Sequence, residues 1–319
     1  MKKMKVIIVL VFMILPQFFV EVTAEKNLNQ PMDNKYAVIV VGRYAGGFRE
    51  LFPENFQKYY SWYLNAAGMA YSMLKDHYGY SDENIFLLAS LREQFVIPDS
   101  FNPSWIDYKS NKENLKNVLY NFKPGGKFWM DGTDSLVFIY INHGSDQQKN
   151  INGKYAHNTF FGFPYEFNTI REMIRYFFFK KNPEAFKLYD WELGEYIENI
   201  HAARMLFILQ PCYSGGFINE LSGINHIIFT ASKENEVATV SWIEPLLRGL
   251  SGKADANGDG KISLLEAYEY AARKVNEKTT DEHPLLDDNS DGIGHHFTDA
   301  GYNPCIPNSD GFFSARSYL

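Results

Sequence analysis

The sequence predicts an α/β fold with a mostly parallel central sheet and helices on both faces. Three observations carry that expectation. Short apolar runs recur at Tyr36 to Gly42, within Asp134 to Ser145, at Met205 to Leu209 and at His226 to Ser232, as strands buried on both faces of a parallel sheet require. From Asn55 to Tyr78, Phe56, Tyr59, Tyr60, Tyr63, Leu64, Ala67, Tyr71 and Leu74 recur at helical spacing, which makes an amphipathic helix packed on such a sheet. Strands and helices then alternate along the chain, the pattern of layered α/β domains.

The first 24 residues read as a targeting segment. Lys2, Lys3 and Lys5 form a basic start, Val6 to Leu15 is apolar, and Val22-Thr23-Ala24 resembles a small-residue cleavage site. That run is short for a membrane span, so secretion is expected, with an uncleaved anchor as the alternative. Residues 25–35 are polar and read as a linker, and 36–319 as one domain. The net charge is −7. Residues 1–24 carry three Lys and one Glu, so cleavage after Ala24 leaves −9. This balance argues against nucleic acid and anionic membrane surfaces as partners and fits a cation-binding protein better.

After the first strand, Arg43 to Pro53 reads as a loop at the carboxyl edge of the sheet and Asn84 to Ala89 as the second strand. Asn114 to Phe122 reads as a short helix. The insertion from Asp146 to Pro183 reads as loops plus a helix around Ile170 to Phe178, either surface elaboration or a wall of a substrate groove. Asp190 to His201 is expected to be a helix with Asp190 as its N-cap, and Trp242 to Leu250 another.

Two strand ends carry chemistry. The run Arg204 to Phe217 ends its strand in Gln210-Pro-Cys-Tyr-Ser-Gly-Gly216, and Asp134 to Ser145 ends its strand in His143-Gly144. Ligands of open α/β sheets bind at that edge. Were the two ends adjacent, His143 would take the proton of the Cys212 thiol, and the N–H groups of Gly144 and Cys212 would converge on an oxyanion. The glycines after Ser214 are expected to let the backbone turn sharply and present further N–H groups. A disulfide between Cys212 and Cys305 cannot be the resting state of such a nucleophile, which leaves Cys305 as a free thiol or a packing residue.

Strand-His-Gly followed by strand-x-x-Cys-x-Ser-Gly resembles the catalytic signature of the legumain family of cysteine peptidases. The resemblance runs from Tyr36 to Ser232 and implies a caspase-like three-layer sandwich and acyl transfer through a Cys212–His143 dyad, with peptide or protein as substrate. It includes transamidases, in which an amine replaces water. Legumains cut after Asn, using an Arg and an acidic residue whose positions fall at Trp62 and Gln210 here. A strong Asn preference is therefore not expected, and Glu234, Glu236 and Asp146 favour a basic or neutral residue. The Asn that supports the family's His aligns with Tyr44. These departures keep open a non-catalytic calcium-binding module on the same fold.

Asp255 to Glu266 reads Asp-Ala-Asn-Gly-Asp-Gly-Lys-Ile-Ser-Leu-Leu-Glu. Asp255, Asn257, Asp259, the Lys261 carbonyl, Ser263 and Glu266 fall where a twelve-residue EF-hand loop places its oxygen ligands. A structural calcium site is expected, with its exiting helix running through Tyr268, Ala271 and Val275; Leu250 to Lys253 breaks any long entering helix. Residues 287–292, Asp-Asp-Asn-Ser-Asp-Gly, repeat the first half of such a loop with Asp287, Asn289 and Asp291, but its closing position is Thr298. His295-His296 has no Cys at zinc spacing.

Overall fold

The computed structural model describes residues 34–42, 57–91, 95–146, 149–151, 154–156, 159–164, 183–238 and 242–319. The targeting segment, the loop 43–53 with Tyr44, and the helix expected at 170–178 lie outside them. The linker ends earlier than the sequence reading has it. Lys35 already belongs to strand β1, Lys35–Val41, and Asn34 donates from its backbone and side chain to Asp134 Oδ1.

A seven-stranded sheet forms the centre. From β1 the chain steps outward through β2, Ile85–Leu88, to β3, Ile106–Tyr108, and then returns to the other side of β1 with β4, Ser135–Ile141. Next to β4 come β10, Arg204–Leu209, and β11, His226–Thr230. Pairing is parallel throughout, except that β12, Leu285–Asp287, runs antiparallel on the edge of β11. Strands β1, β4, β10 and β11 are buried almost end to end, which is why they read as unbroken apolar runs. The order reverses between β1 and β4, and such a switch point opens a crevice beyond the carboxyl ends of the strands.

Alternate residues of β1 feed two cores. Ala37, Ile39 and Val41 face helices α1, Gln57–Ser72; α5, Ile243–Arg248; and α6, Leu264–Asn276. Tyr36, Val38 and Val40 face α2, Lys112–Tyr120; α3, Asp190–Ile197; and α4, Ile218–Leu221. The result is helix, sheet, helix, as expected for a parallel sheet buried on both faces. The helix expected at 55–78 ends its regular part at Ser72 and continues as a wide π-type turn to His77. Asp190 is not the N-cap of α3. Tyr189 holds that position, its N–H donating to Glu192 Oε2 at 3.1 Å.

Within the insertion after His143, part of what is expected to be loop is strand. Gly144–Asp146 is strand β5, which pairs with β8, Thr159–Gly162, which in turn pairs with β9, Lys187–Tyr189. Between them, β6, Lys149–Ile151, and β7, Lys154–Ala156, form a two-stranded pair. Phe161 of β8 stacks on Phe217 with ring centroids 3.8 Å apart, so the small sheet backs the turn after Cys212.

Candidate active site

The register of β4 against β10 pairs Tyr140 with Leu209. Carried forward, it sets Ile141 against Gln210, Asn142 against Pro211, and His143 against Cys212. The strand ends are tied by side chains as well. Gln210 Oε1 accepts from Asn142 N at 2.9 Å, Gln210 N donates to Tyr140 O at 3.0 Å, and Asn142 Oδ1 accepts from the His143 backbone N–H. Gly144 lies directly on the Cys212 backbone. A Cβ there would overlap the Cys212 carbonyl oxygen and come within 2.9 Å of Pro211 Cβ. Gly144 is required for close approach rather than for an unusual φ.

Cys212 is partly buried, and its thiol donates to Ala238 O at 3.4 Å. Burial pushes its pKa up first, and the Glu282 carboxylate adds to that. The backbones of Ala238, Cys212 itself and Gly144 pull it down. Burial wins, so the resting group is the neutral thiol, and attack requires a base.

Two expectations about the turn are corrected. The glycines after Ser214 do not make the sharp turn, because Tyr213 does, at φ 61 and ψ 15, a left-handed conformation unusual for a bulky residue. Nor do their amides face a ligand. Gly215 N donates to Ser232 O at 2.9 Å and Gly216 N to Tyr213 O at 3.0 Å. Both glycines are packing positions: a Cβ on Gly216 would overlap Thr159 of β8, and one on Gly215 would press on the Lys233–Glu234 backbone at 2.8–2.9 Å. Tyr213 N donates to Glu236 O at 2.8 Å, and Ser214 Oγ, fully buried, accepts from Ala231 N at 3.1 Å. The strained residue after Cys212 is therefore fixed from the segment following β11.

The sequence reading missed Tyr63. It sits in the aromatic stripe of α1, 2 % exposed, with its hydroxyl 3.1 Å from His143 Nε2 and its ring edge-on to the imidazole at 5.5 Å. It holds the ring of His143 in one orientation. Only the amphipathic helix, not the partner, is visible in sequence. Glu282, 1 % exposed, is the second omission. Of the acidic residues expected to shape specificity, Glu236 is engaged elsewhere: Oε1 meets His283 Nδ1 at 2.9 Å and Oε2 accepts from His283 N at 3.1 Å. Gln210 is 3 % exposed and bound to Asn142, and Trp62 packs edge-on against Tyr63 at 5.3 Å. Cys212 and Cys305 are both free thiols.

The loop at 255–266 has the internal bonding of an EF-hand loop. Asp255 Oδ1 accepts from Gly258 N at 2.8 Å and its Oδ2 from Gly260 N at 3.1 Å, Asn257 Oδ1 accepts from Asp259 N at 2.8 Å, and Asp259 Oδ1 accepts from Lys261 N at 2.8 Å. Glu266 Oε2 caps α6 through Ser263 N and Oγ, both at 2.9 Å, while Oε1 accepts from Ala256 N at 3.2 Å. Each carboxylate oxygen keeps a second lone pair, so these residues fit a hard cation. Among the described residues, however, no group of three or more His, Cys, Asp or Glu side chains converges as a metal cage. His295 and His296 are accordingly no zinc pair: His295 Nδ1 meets Asp310 Oδ2 at 2.6 Å and His296 Nδ1 meets Thr298 Oγ1 at 2.9 Å. Among the described residues no helix is long and apolar enough to cross a membrane. The chain matches no protein-family model and none of the curated proteins.

Proposed function

We propose that the chain is a secreted, calcium-stabilised cysteine endopeptidase of legumain-like type on a caspase-like fold, with residues 1–24 as its signal peptide. The single observation that carries the reading is the seating of Gly144 on the Cys212 backbone, where the ends of β4 and β10 meet at the carboxyl edge of the sheet, one strand from the switch between β1 and β4.

His143 takes the Cys212 proton as Sγ attacks the scissile carbonyl carbon. The N–H groups of Gly144 and Cys212 hold the resulting oxyanion. The carbon–nitrogen bond breaks, His143 returns its proton to the departing amine, and a thioester remains. Water then adds to the thioester, with His143 as base, and releases the acid and the free thiol. Calcium supplies stability and no chemical step; Asp255, Asn257, Asp259, the Lys261 carbonyl, Ser263 and Glu266 would hold it.

Substrate choice departs from an Asn preference. Gln210 spends its amide oxygen on Asn142, and an Asn side chain left unpaired in the pocket would cost about 1–3 kcal/mol. With Glu236 engaged by His283, Asp146 and Glu234 favour a basic or neutral residue at the cleaved position.

An activity-based thiol probe together with a peptide-library digest tests the reading. The wild type is expected to be labelled and to cleave, and folded Cys212→Ala and His143→Ala to do neither, with losses that do not add. Turnover by folded Cys212→Ala would remove the mechanism, and a sharp preference for Asn would remove the account of the pocket.

A further inference from the structure

The Asp287 loop has the same backbone and side-chain bonding as the Asp255 loop, residue by residue. In both, the fourth and sixth residues have positive φ: 76 and 79 at Gly258 and Gly260, 71 and 76 at Ser290 and Gly292. In both, the first Asp accepts from the fourth residue's N–H, Asp287 Oδ1 from Ser290 N at 3.3 Å. The third and fifth residues accept from the amides two positions on: Asn289 Oδ1 from Asp291 N at 2.9 Å and Asp291 Oδ1 from Ile293 N at 2.8 Å.

One bond differs. In the first loop the sixth residue's N–H satisfies the second oxygen of Asp255. In the second loop that amide, Gly292 N, donates instead to Ser222 Oγ at 3.0 Å. Asp287 Oδ2 is left inside the protein on a residue 1 % exposed, with the Ser222 hydroxyl near it and no partner at normal hydrogen-bond geometry. The neighbouring buried carboxylates show that this is particular to Asp287. Asp288 takes the amides of Gly311 and Ser314, and Asp310 takes Asp288 N and His295 Nδ1. A buried carboxylate oxygen without a partner is costly. Asp291 on the same loop adds a second negative charge, and no Lys or Arg pairs with either Asp among the described ion pairs. A hard divalent cation supplies what the protein omits.

We propose that residues 287–293 form a second calcium site, in which Asp287 Oδ2, Asn289 Oδ1, Asp291 and the Ile293 carbonyl are ligands and water completes the shell. With two carboxylates where the first loop has three, and no closing Glu, its affinity falls in the weak range of extracellular modules, a Kd of about 10⁻⁴–10⁻³ M. The site joins the end of β12 to the turn after α4 through Ser222, and does not depend on any peptidase activity.

Calcium alone is the probe, titrated into the calcium-stripped full chain by calorimetry and equilibrium dialysis at millimolar concentration. Wild type is expected to bind two ions, Glu266→Ala one, and Glu266→Ala with Asp291→Ala none, with near-ultraviolet circular dichroism unchanged because Asp291 is exposed. Asp291→Asn, which keeps the bond to Ile293 N, is expected to weaken the second site by roughly tenfold. If Glu266→Ala changes nothing and Asp291→Ala removes the one ion bound, the second site stands and the first fails. The inference is overturned if Glu266→Ala binds no calcium, or if its remaining ion survives Asp291→Ala.

Discussion

The edge of the sheet around Cys212 and the loop from Asp255 to Glu266 are both turns rich in polar chemistry, but they are held by opposite kinds of contact. The loop closes largely on itself: the bonds of its carboxylates and Asn run among its own residues, the farthest from Ala256 N to Glu266, and Leu264 N to Ser317 O ties it to the C-terminal segment. The Cys212 turn is held from elsewhere, by Ser232, Glu236 and Ala231 beyond the next strand and by Gly144 and Thr159 from the insertion before it. A locally bonded element tolerates change at one residue with a graded response. An element held by several distant contacts fails together when one is removed.

Gly144→Ala is the strongest test of that contrast. The new methyl meets the Cys212 carbonyl, so hydrolysis is expected to fall by at least about a hundredfold, with a stability loss of about 1–3 kcal/mol. Urea melts and kcat/KM measure both, and a fully active Gly144→Ala enzyme would show that the strand ends are not in contact. Glu266→Ala probes the loop. In calcium-free buffer it is expected to cost about 1 kcal/mol, from the lost cap on Ser263. It also removes the gain of roughly 2.7 kcal/mol that a hundredfold calcium excess gives wild type. Equal melts of wild type with calcium and with chelator would leave the loop a plain turn.

Behind the Cys212 turn lies the His283–His296 pair, whose rings meet edge to face at 5.6 Å; His283 holds Glu236, and Glu236 O holds Tyr213. Burial, and then His283, lower the His296 pKa from 6.5 to about 4; Lys233 lowers it further, against Asp299 and Glu236. The unfolded chain therefore binds the proton more readily between those values, and the stability from neutral His296 is complete above 6.5 and lost as pH falls toward 4. Between pH 7 and pH 5, wild type is expected to lose about 2 kcal/mol more than His296→Gln. Parallel pH curves for the two would mean that His296 is not buried neutral. Tyr63→Phe is the smallest change. Loss of one hydrogen bond worth about 1 kcal/mol lowers kcat/KM by about three- to tenfold. The acid limb of the pH–rate profile moves while the melt stays, a result that a packing role for Tyr63 would not give.

The same division explains what could be read in the sequence. Strands β1, β4, β10 and β11 are buried on both faces and announce themselves as apolar runs, and the turn at 255–261 announces itself because its Asp and Asn side chains bond to amides two to five residues on. Strands β5, β6 and β7, Gly-Ser-Asp, Lys-Asn-Ile and Lys-Tyr-Ala, are too short and polar for any periodicity, so the insertion read as loops. Strand β12 hid beside the acidic stretch that follows it. The pair His143 and Cys212 was legible because each ends a strand. Tyr63, Glu282 and the packing roles of Gly215 and Gly216 were not, since each is defined by a partner far away in the chain.

The dependence of the Cys212 turn on Ser232, Glu236 and Ala238 bears on the order of events as the polypeptide is made. β10 finds its neighbours only after a long crossover from β4, a slow, non-local pairing, and Tyr213 takes its left-handed conformation only once the segment after β11 has docked. Until then Cys212 is an ordinary thiol on a flexible chain, without the partners that define the site. On the proposed function, a nascent or unfolded chain is thus unable to cleave itself or its neighbours, and competence arrives in one step with the completed sheet.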